Sequence, residues 1–162
     1  MAAAGDATAG DEDGERAVHR RPVDGGRTWA AGRGEEIGVT LHHPHGQIYA
    51  YSYLPPRVEK MLAAAKRYKD EFGRVLFDET LKRELTEKSR IVCQNEEWVA
   101  YVPFAARYPY EIHVAPLNPV ADLTELSEAQ CDSYPAIALE VMKRLDAVFG
   151  IPMAYAAILD FV

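Results

Sequence analysis

The stretch His42-His43-Pro44-His45-Gly46-Gln47-Ile48-Tyr49-Ala50 decides how the chain is read. Three of the five histidines fall within four of its positions. From Ile48 to Tyr53 the residues are rich in aromatic and β-branched types, the composition of a strand. In extended backbone, successive side chains point to opposite faces. His43, His45 and Gln47 therefore share one face, and His42, Pro44 and Gly46 share the other. Pro44 donates no backbone hydrogen bond, which places this stretch at a strand edge or bulge. Gly46 lets another group approach the backbone closely. Three chemistries fit an imidazole flanked by a second imidazole and a carboxamide. A neutral imidazole can attack phosphorus when one ring nitrogen is free and the other is held by a hydrogen bond. A carboxamide can donate to phosphoryl oxygens as charge builds. A histidine cluster can bind a metal. The plain alternative is a solvent-exposed polar edge that happens to be rich in histidine.

Outward from this stretch, the two sides differ in kind. Residues 1–34 hold seven of the eleven glycines, with aspartate, arginine and alanine between them. Such a segment buries too little apolar surface to offset its ordering entropy, so it reads as disordered. From Glu35 onward the pattern is that of a folded domain. Ile37–Leu41 reads as a strand. A helix follows over 57–72, with Val58, Met61, Leu62, Ala65, Tyr68 and Phe72 on one face and Gly73 as its stop. Asp78 suits the N-cap of a second helix running to about Glu87. Ile91–Gln94 and Trp98–Val102, separated by Asn95-Glu96-Glu97, form a hairpin signature. Glu111–Ala115 reads as a further strand, closed by Pro116. Ser127-Glu128-Ala129-Gln130 has the capping-box form and opens a helix. Ala138, Val141, Leu145 and Phe149 give that helix its apolar stripe, and Gly150 and Pro152 end it. Pro135 is expected to kink or split it. Ala154–Phe161 reads as a last strand. The order β, α, α, β-β, β, α, β predicts an α+β fold with a mainly antiparallel sheet and packed helices.

The bulk properties narrow the function classes. The chain has 162 residues and a net charge of −7. That balance argues against a nucleic-acid binder, which needs a basic surface. No apolar run approaches a membrane span, and the acidic N-terminus (Asp6, Asp11, Glu12, Asp13) fits neither a secretory signal nor a transit peptide. The two cysteines, Cys93 and Cys131, form no C-x-x-C pair and give no disulfide framework. A cytoplasmic location is expected. His113 reads as a satisfied structural histidine, and His42 as solvent-exposed. Trp98, Tyr101, Tyr108 and Tyr110 read as core and hairpin packing. Lys60, Lys66, Arg67 and Lys69 read as a solvated helix face.

His43-Pro44-His45-Gly46-Gln47-Ile48-Tyr49-Ala50 resembles the active-site signature of the galactose-1-phosphate uridylyltransferases, a family of the histidine-triad superfamily. Gly34–Leu41, Leu54-Pro55, Leu81–Leu85, Ser89-Arg90 and Tyr108-Pro109-Tyr110-Glu111 continue the likeness in order, from about Gly34 to Pro152. The resemblance implies a histidine-triad-like α+β fold, incomplete in this chain. It implies an enzyme, a UDP-glucose–hexose-1-phosphate uridylyltransferase of galactose metabolism. His45 then matches the nucleophile that becomes uridylylated by UDP-glucose before the uridylyl group passes to galactose 1-phosphate. Gln47 matches the residue that hydrogen-bonds the phosphoryl oxygens. Gly38, Val39 and Thr40 match residues lining the nucleotide site. His43 matches one zinc ligand, in a site left incomplete because no Cys-x-x-Cys pair precedes Gly34. Met61 stands about where some family members carry a metal-binding glutamate.

The same resemblance implies a homodimer, while charge and hydropathy lead to the expectation of neither nucleic acid nor membrane as partner. It divides the chain into an unrelated segment 1–34, the end of an N-terminal catalytic domain at 35–56, and a truncated C-terminal domain at 57–162. On this reading the chain is a partial gene product. Two other readings stay open: a related sugar-nucleotide phosphorylase, and an inactive fragment that serves as a subunit-interaction piece.

Overall fold

Strand β4 (Trp98–Tyr101) is buried along its whole length and organises the better-packed part of the molecule. The structure is a computed structural model, and it describes residues 27–33, 46–50 and 52–160. β4 lies between β3 (Ile91–Gln94) and β5 (His113–Pro116), both antiparallel to it. Its side chains alternate. Trp98 and Ala100 pack with Ile137 and Val141 of helix α3 (Glu128–Phe149). Val99 and Tyr101 pack on the opposite face with Leu81 and Leu85 of helix α2 (Leu76–Glu87). A strand covered on both faces has no polar side to present, which is why Trp-Val-Ala-Tyr is apolar throughout.

The expected hairpin between β3 and β4 is present. Asn95 shapes its turn: the Asn95 side-chain oxygen accepts the backbone N–H of Glu97 (3.1 Å) and of Trp98 (2.7 Å). The Asn95 side-chain amide donates across to the Ser133 carbonyl of α3 (3.1 Å). The Trp98 indole N–H donates to the Gln130 carbonyl (2.8 Å), so the buried ring leaves no polar atom unpaired. α3 begins on the capping box read from the sequence. Gln130 N–H donates to Ser127 Oγ (3.1 Å), and Ser127 N–H donates to Gln130 Oε1 (2.9 Å).

Helix α1 (Pro56–Phe72) starts with proline in its first turn and stops at Gly73, whose φ of 67° is the left-handed conformation that glycine adopts without strain. Within its apolar stripe, Val58 is buried, while Phe72 is half exposed and packs its ring on Tyr68 (4.7 Å). α2 begins at Leu76, two residues before the expected cap. Asp78 instead lies in the first turn, where its charge complements the helix dipole, and Arg74 pairs with Glu79 beside it (2.8 Å).

A second sheet joins distant parts of the chain. Strand β1 (Arg27–Arg33) lies between β2 (Gly46–Ala50) and β6 (Tyr155–Asp160), antiparallel to both. This corrects the expectation of disorder up to residue 34. The segment is poor in apolar residues, yet it gains a hydrogen-bonding partner on each edge, from Arg27 opposite Ala50 to Arg33 opposite Tyr155. Backbone pairing on both sides supplies order that composition does not advertise.

Three further expectations are adjusted. The strand expected over 48–53 runs from Gly46 to Ala50, and Tyr53 is exposed. Glu111 and Ile112 fall outside β5, because Glu111 closes the preceding turn instead. α3 is one continuous helix through Pro135. Pro135 and Cys131 both lie on its exposed side, where water can take the Cys131 carbonyl that loses its donor. The strand expected over Ile37–Leu41 lies outside the described residues.

Candidate functional site

β2 opens at Gly46, so Gly46 and Gln47 of the histidine motif are the first two residues of a paired strand. Gly46 stands opposite Ala31 and Gln47 opposite Ala30. His43, His45, Gly38, Val39 and Thr40 lie outside the described residues, as do His19 and His42. The described sheet thus brackets the motif. β1 ends at Arg33, β2 begins at Gly46, and the residues between them carry the expected nucleophile, the expected zinc ligand and the expected nucleotide-lining stretch.

The end of β1 is clasped to the far part of the chain. Arg33 donates twice to the Met153 carbonyl, from Nε (3.0 Å) and from Nη2 (2.8 Å), and also pairs with the Asp146 carboxylate. The same carboxylate accepts the Met153 N–H (2.8 Å). The Met153 N–H, and then Arg33, hold the Asp146 carboxyl below the ordinary aspartate range. The Arg33 guanidinium also lies over the Tyr155 ring, 5.4 Å from its centre. Arg33 was not singled out by the sequence, and no local signal marks it. Its partners come from α3 and β6, and only the β1–β6 pairing brings them near.

The second cluster of polar contacts is structural. Arg90 donates to both oxygens of the buried Glu84 through Nε and Nη2 (2.9 to 3.2 Å), and Nη2 also reaches Glu87 (3.2 Å). This places Ser89-Arg90, part of the family-like sequence, in the support of α2 rather than in a reactive site. His113 is exposed and opens β5. Its Nε2 lies 3.0 Å from Glu111, and its ring meets the edge of Tyr101. Trp98 and Tyr101 are core residues, as expected, but Tyr108 and Tyr110 are exposed. Cys93 and Cys131 are free, and partial burial raises the Cys93 thiol. Among the described residues, no group of three His, Cys, Asp or Glu side chains is placed to hold a metal ion. Among them too, no helix is long and apolar enough to cross a membrane.

The comparisons with known proteins agree with this geometry. A family model described as the galactose-1-phosphate uridyl transferase C-terminal domain matches residues 61–159. A galactose-1-phosphate uridylyltransferase of Streptomyces lividans is 46% identical over 119 residues, covering 73% of this chain and 33% of that protein. The enzyme of the same name from Thermotoga maritima is 36% identical over 123 residues, covering 76% of this chain and 38% of that protein. The chain therefore spans between a third and two-fifths of these relatives. A solved uridylyltransferase mutant superposes with a TM-score of 0.77 at 35% identity, over 85% of this chain and 45% of that one. An ADP-glucose phosphorylase from Arabidopsis thaliana superposes with a TM-score of 0.72 at 21% identity, a likeness of fold alone. The expected α+β fold with antiparallel sheets is thus the fold of solved uridylyltransferases. With the model of that domain matching more than half of its residues, the chain belongs to the galactose-1-phosphate uridyl transferase family.

Proposed function

We propose that this chain carries the nucleophile-bearing motif of a UDP-glucose–hexose-1-phosphate uridylyltransferase. The observation that carries the reading is the intact sequence His43-Pro44-His45-Gly46-Gln47, entering a strand at Gly46 in a chain of this family. In the proposed reaction a ring nitrogen of His45 attacks the α-phosphorus of UDP-glucose. The bond from that phosphorus to the bridging oxygen breaks, and glucose 1-phosphate departs with the electron pair. A phosphate oxygen of galactose 1-phosphate then attacks the same phosphorus, releasing His45 and forming UDP-galactose. Each half is an in-line displacement, and the covalent intermediate makes the kinetics ping-pong.

Gln47 would donate its carboxamide N–H to the phosphoryl oxygens as their charge rises. Gly38, Val39 and Thr40 would line the nucleotide. The proposed setting is a cytoplasmic homodimer with the chain divided at about residues 34 and 56, and a histidine-triad-like arrangement of both folded parts. His43 would supply one zinc ligand. A closed zinc site takes four ligands, and the described residues offer no cluster to complete it.

The test is direct. The purified chain is mixed with UDP-glucose and quenched in alkali, and the peptide holding His45 is weighed. A uridylyl adduct on that peptide, absent from His45→Gly, is expected. Labelling that persists in His45→Gly would displace the assignment to another residue. A folded chain with no adduct would favour the second reading, an inactive piece that pairs with the remainder of the enzyme. That reading draws on the short span of the relatives the chain covers.

A further inference from the structure

We propose that the cleft beside the first turns of α1 binds a phosphate monoester, through side chains that are not those of the histidine motif. The cleft has a volume of about 510 Å³ and is lined by Pro56, Arg57, Lys60, Met61, Ala64 and Arg107. Among the described residues that line it, three are cations and none is acidic. In a chain of net charge −7, such a convergence is not background.

The three cations come from two elements that must be placed relative to each other. Arg57 and Lys60 are one turn apart on α1, so they project to the same side. Arg107 comes from the loop between β4 and β5, and that loop is fixed. Glu111 accepts the backbone N–H of Arg107 (2.6 Å) and of Tyr108 (3.2 Å), and Tyr110 turns the chain at a φ of 62°. Glu111 is also bonded to His113 (3.0 Å), so the carboxylate that holds the Arg107 backbone is engaged on other partners. Among the described residues, no carboxylate pairs with the side chains of Arg57, Lys60 or Arg107. Glu59 shares the first turn of α1 but does not line the cleft.

The ligand class follows from this chemistry. Two guanidinium groups and an ammonium match the several oxygens of a dianionic phosphate. Met61 and Ala64, one turn apart on the same helix, give an apolar wall for the carbon part of an ester. The basic run is exposed throughout, as expected for a solvated face. Within it Lys60 lines the cleft, and Lys66, Arg67 and Lys69 are not among its described lining residues.

The test is calorimetric titration of the whole chain with glycerol 3-phosphate and with inorganic phosphate, neither of which carries a hexose. Saturable binding is expected, tighter for the ester, and weakening as salt is added. Arg107→Ala and Lys60→Ala should each weaken it about tenfold, the scale of one lost charge-assisted contact. Arg107→Lys should recover part of that loss. Lys143→Ala, on the distant helix α3, should leave binding unchanged, as should His45→Ala. Circular dichroism checks that each variant is folded. Absence of saturable binding would overturn the proposal. So would equal weakening by Lys143→Ala, loss of binding in His45→Ala, or an ester that binds no tighter than phosphate.

Discussion

Replacing Ile137 by alanine tests the packing that holds β4 against α3. Ile137 is 3% exposed and packs with Trp98, Ala100 and Val141. The substitution removes three carbons from a site closed on all sides. At about 0.8 kcal/mol per buried methylene, the transfer part is about 2.4 kcal/mol. Incomplete collapse of the cavity adds to this, giving about 3 kcal/mol, inside the range of about 2–5 kcal/mol measured for such truncations. With a urea m-value of about 2 kcal/mol per molar, the midpoint should fall by about 1.5 M. Leu139 provides the contrast, two residues along the same helix but 56% exposed. Leu139→Ala should change stability by no more than about 0.5 kcal/mol. Urea unfolding followed by far-ultraviolet circular dichroism measures both. A loss below about 1 kcal/mol for Ile137→Ala, or equal losses for the two variants, would refute this account of the core.

Other perturbations follow from the same structure. Ser127→Ala removes one half of the capping box and should cost about 1 kcal/mol, read in the same unfolding assay. Arg90→Ala leaves Glu84, 2% exposed, without its guanidinium. It should therefore destabilise more than the paired change Glu84→Leu with Arg90→Met, which removes both charges together. Equal losses would show that the pair matters only as packing. Asp146 has a folded-state pKa below the ordinary 3.8. Its contribution is thus present above that value and is lost as pH falls through the lower folded value. Asp146→Asn should flatten the acid limb of a stability-against-pH curve below about pH 4, and an unchanged limb would sink the assignment.

The parts of this fold legible in the sequence are those whose stabilising partners are local or periodic. The hairpin at Asn95-Glu96-Glu97 and the capping box at Ser127 carry their own hydrogen bonds within a few residues. The run from Trp98 announces a strand, and the structure adds that it is buried on both faces. β1 was illegible for the opposite reason. Arg27–Arg33 is flanked by glycines, and what orders it are β2 and β6, the latter more than a hundred residues away. The clasp at Arg33 is hidden by the same distance. The start of α2 was misplaced because Asp78 is equally suited to a cap and to a first turn, and only packing decides between them. Of the candidate site, the motif residues were nameable from sequence because their chemistry is concentrated in five positions. The cationic cleft was not, since Arg107 joins Arg57 and Lys60 only through the path of the β4–β5 loop.

The proposed transfer of a uridylyl group to His45 is tested most directly by isotope exchange. Labelled glucose 1-phosphate is incubated with the chain and unlabelled UDP-glucose, without galactose 1-phosphate. A covalent intermediate on His45 predicts that label enters UDP-glucose, because the first half-reaction runs in both directions without the second sugar. It also predicts that His45→Gly abolishes the exchange. Exchange that survives in His45→Gly, or a folded chain that exchanges nothing, would contradict it.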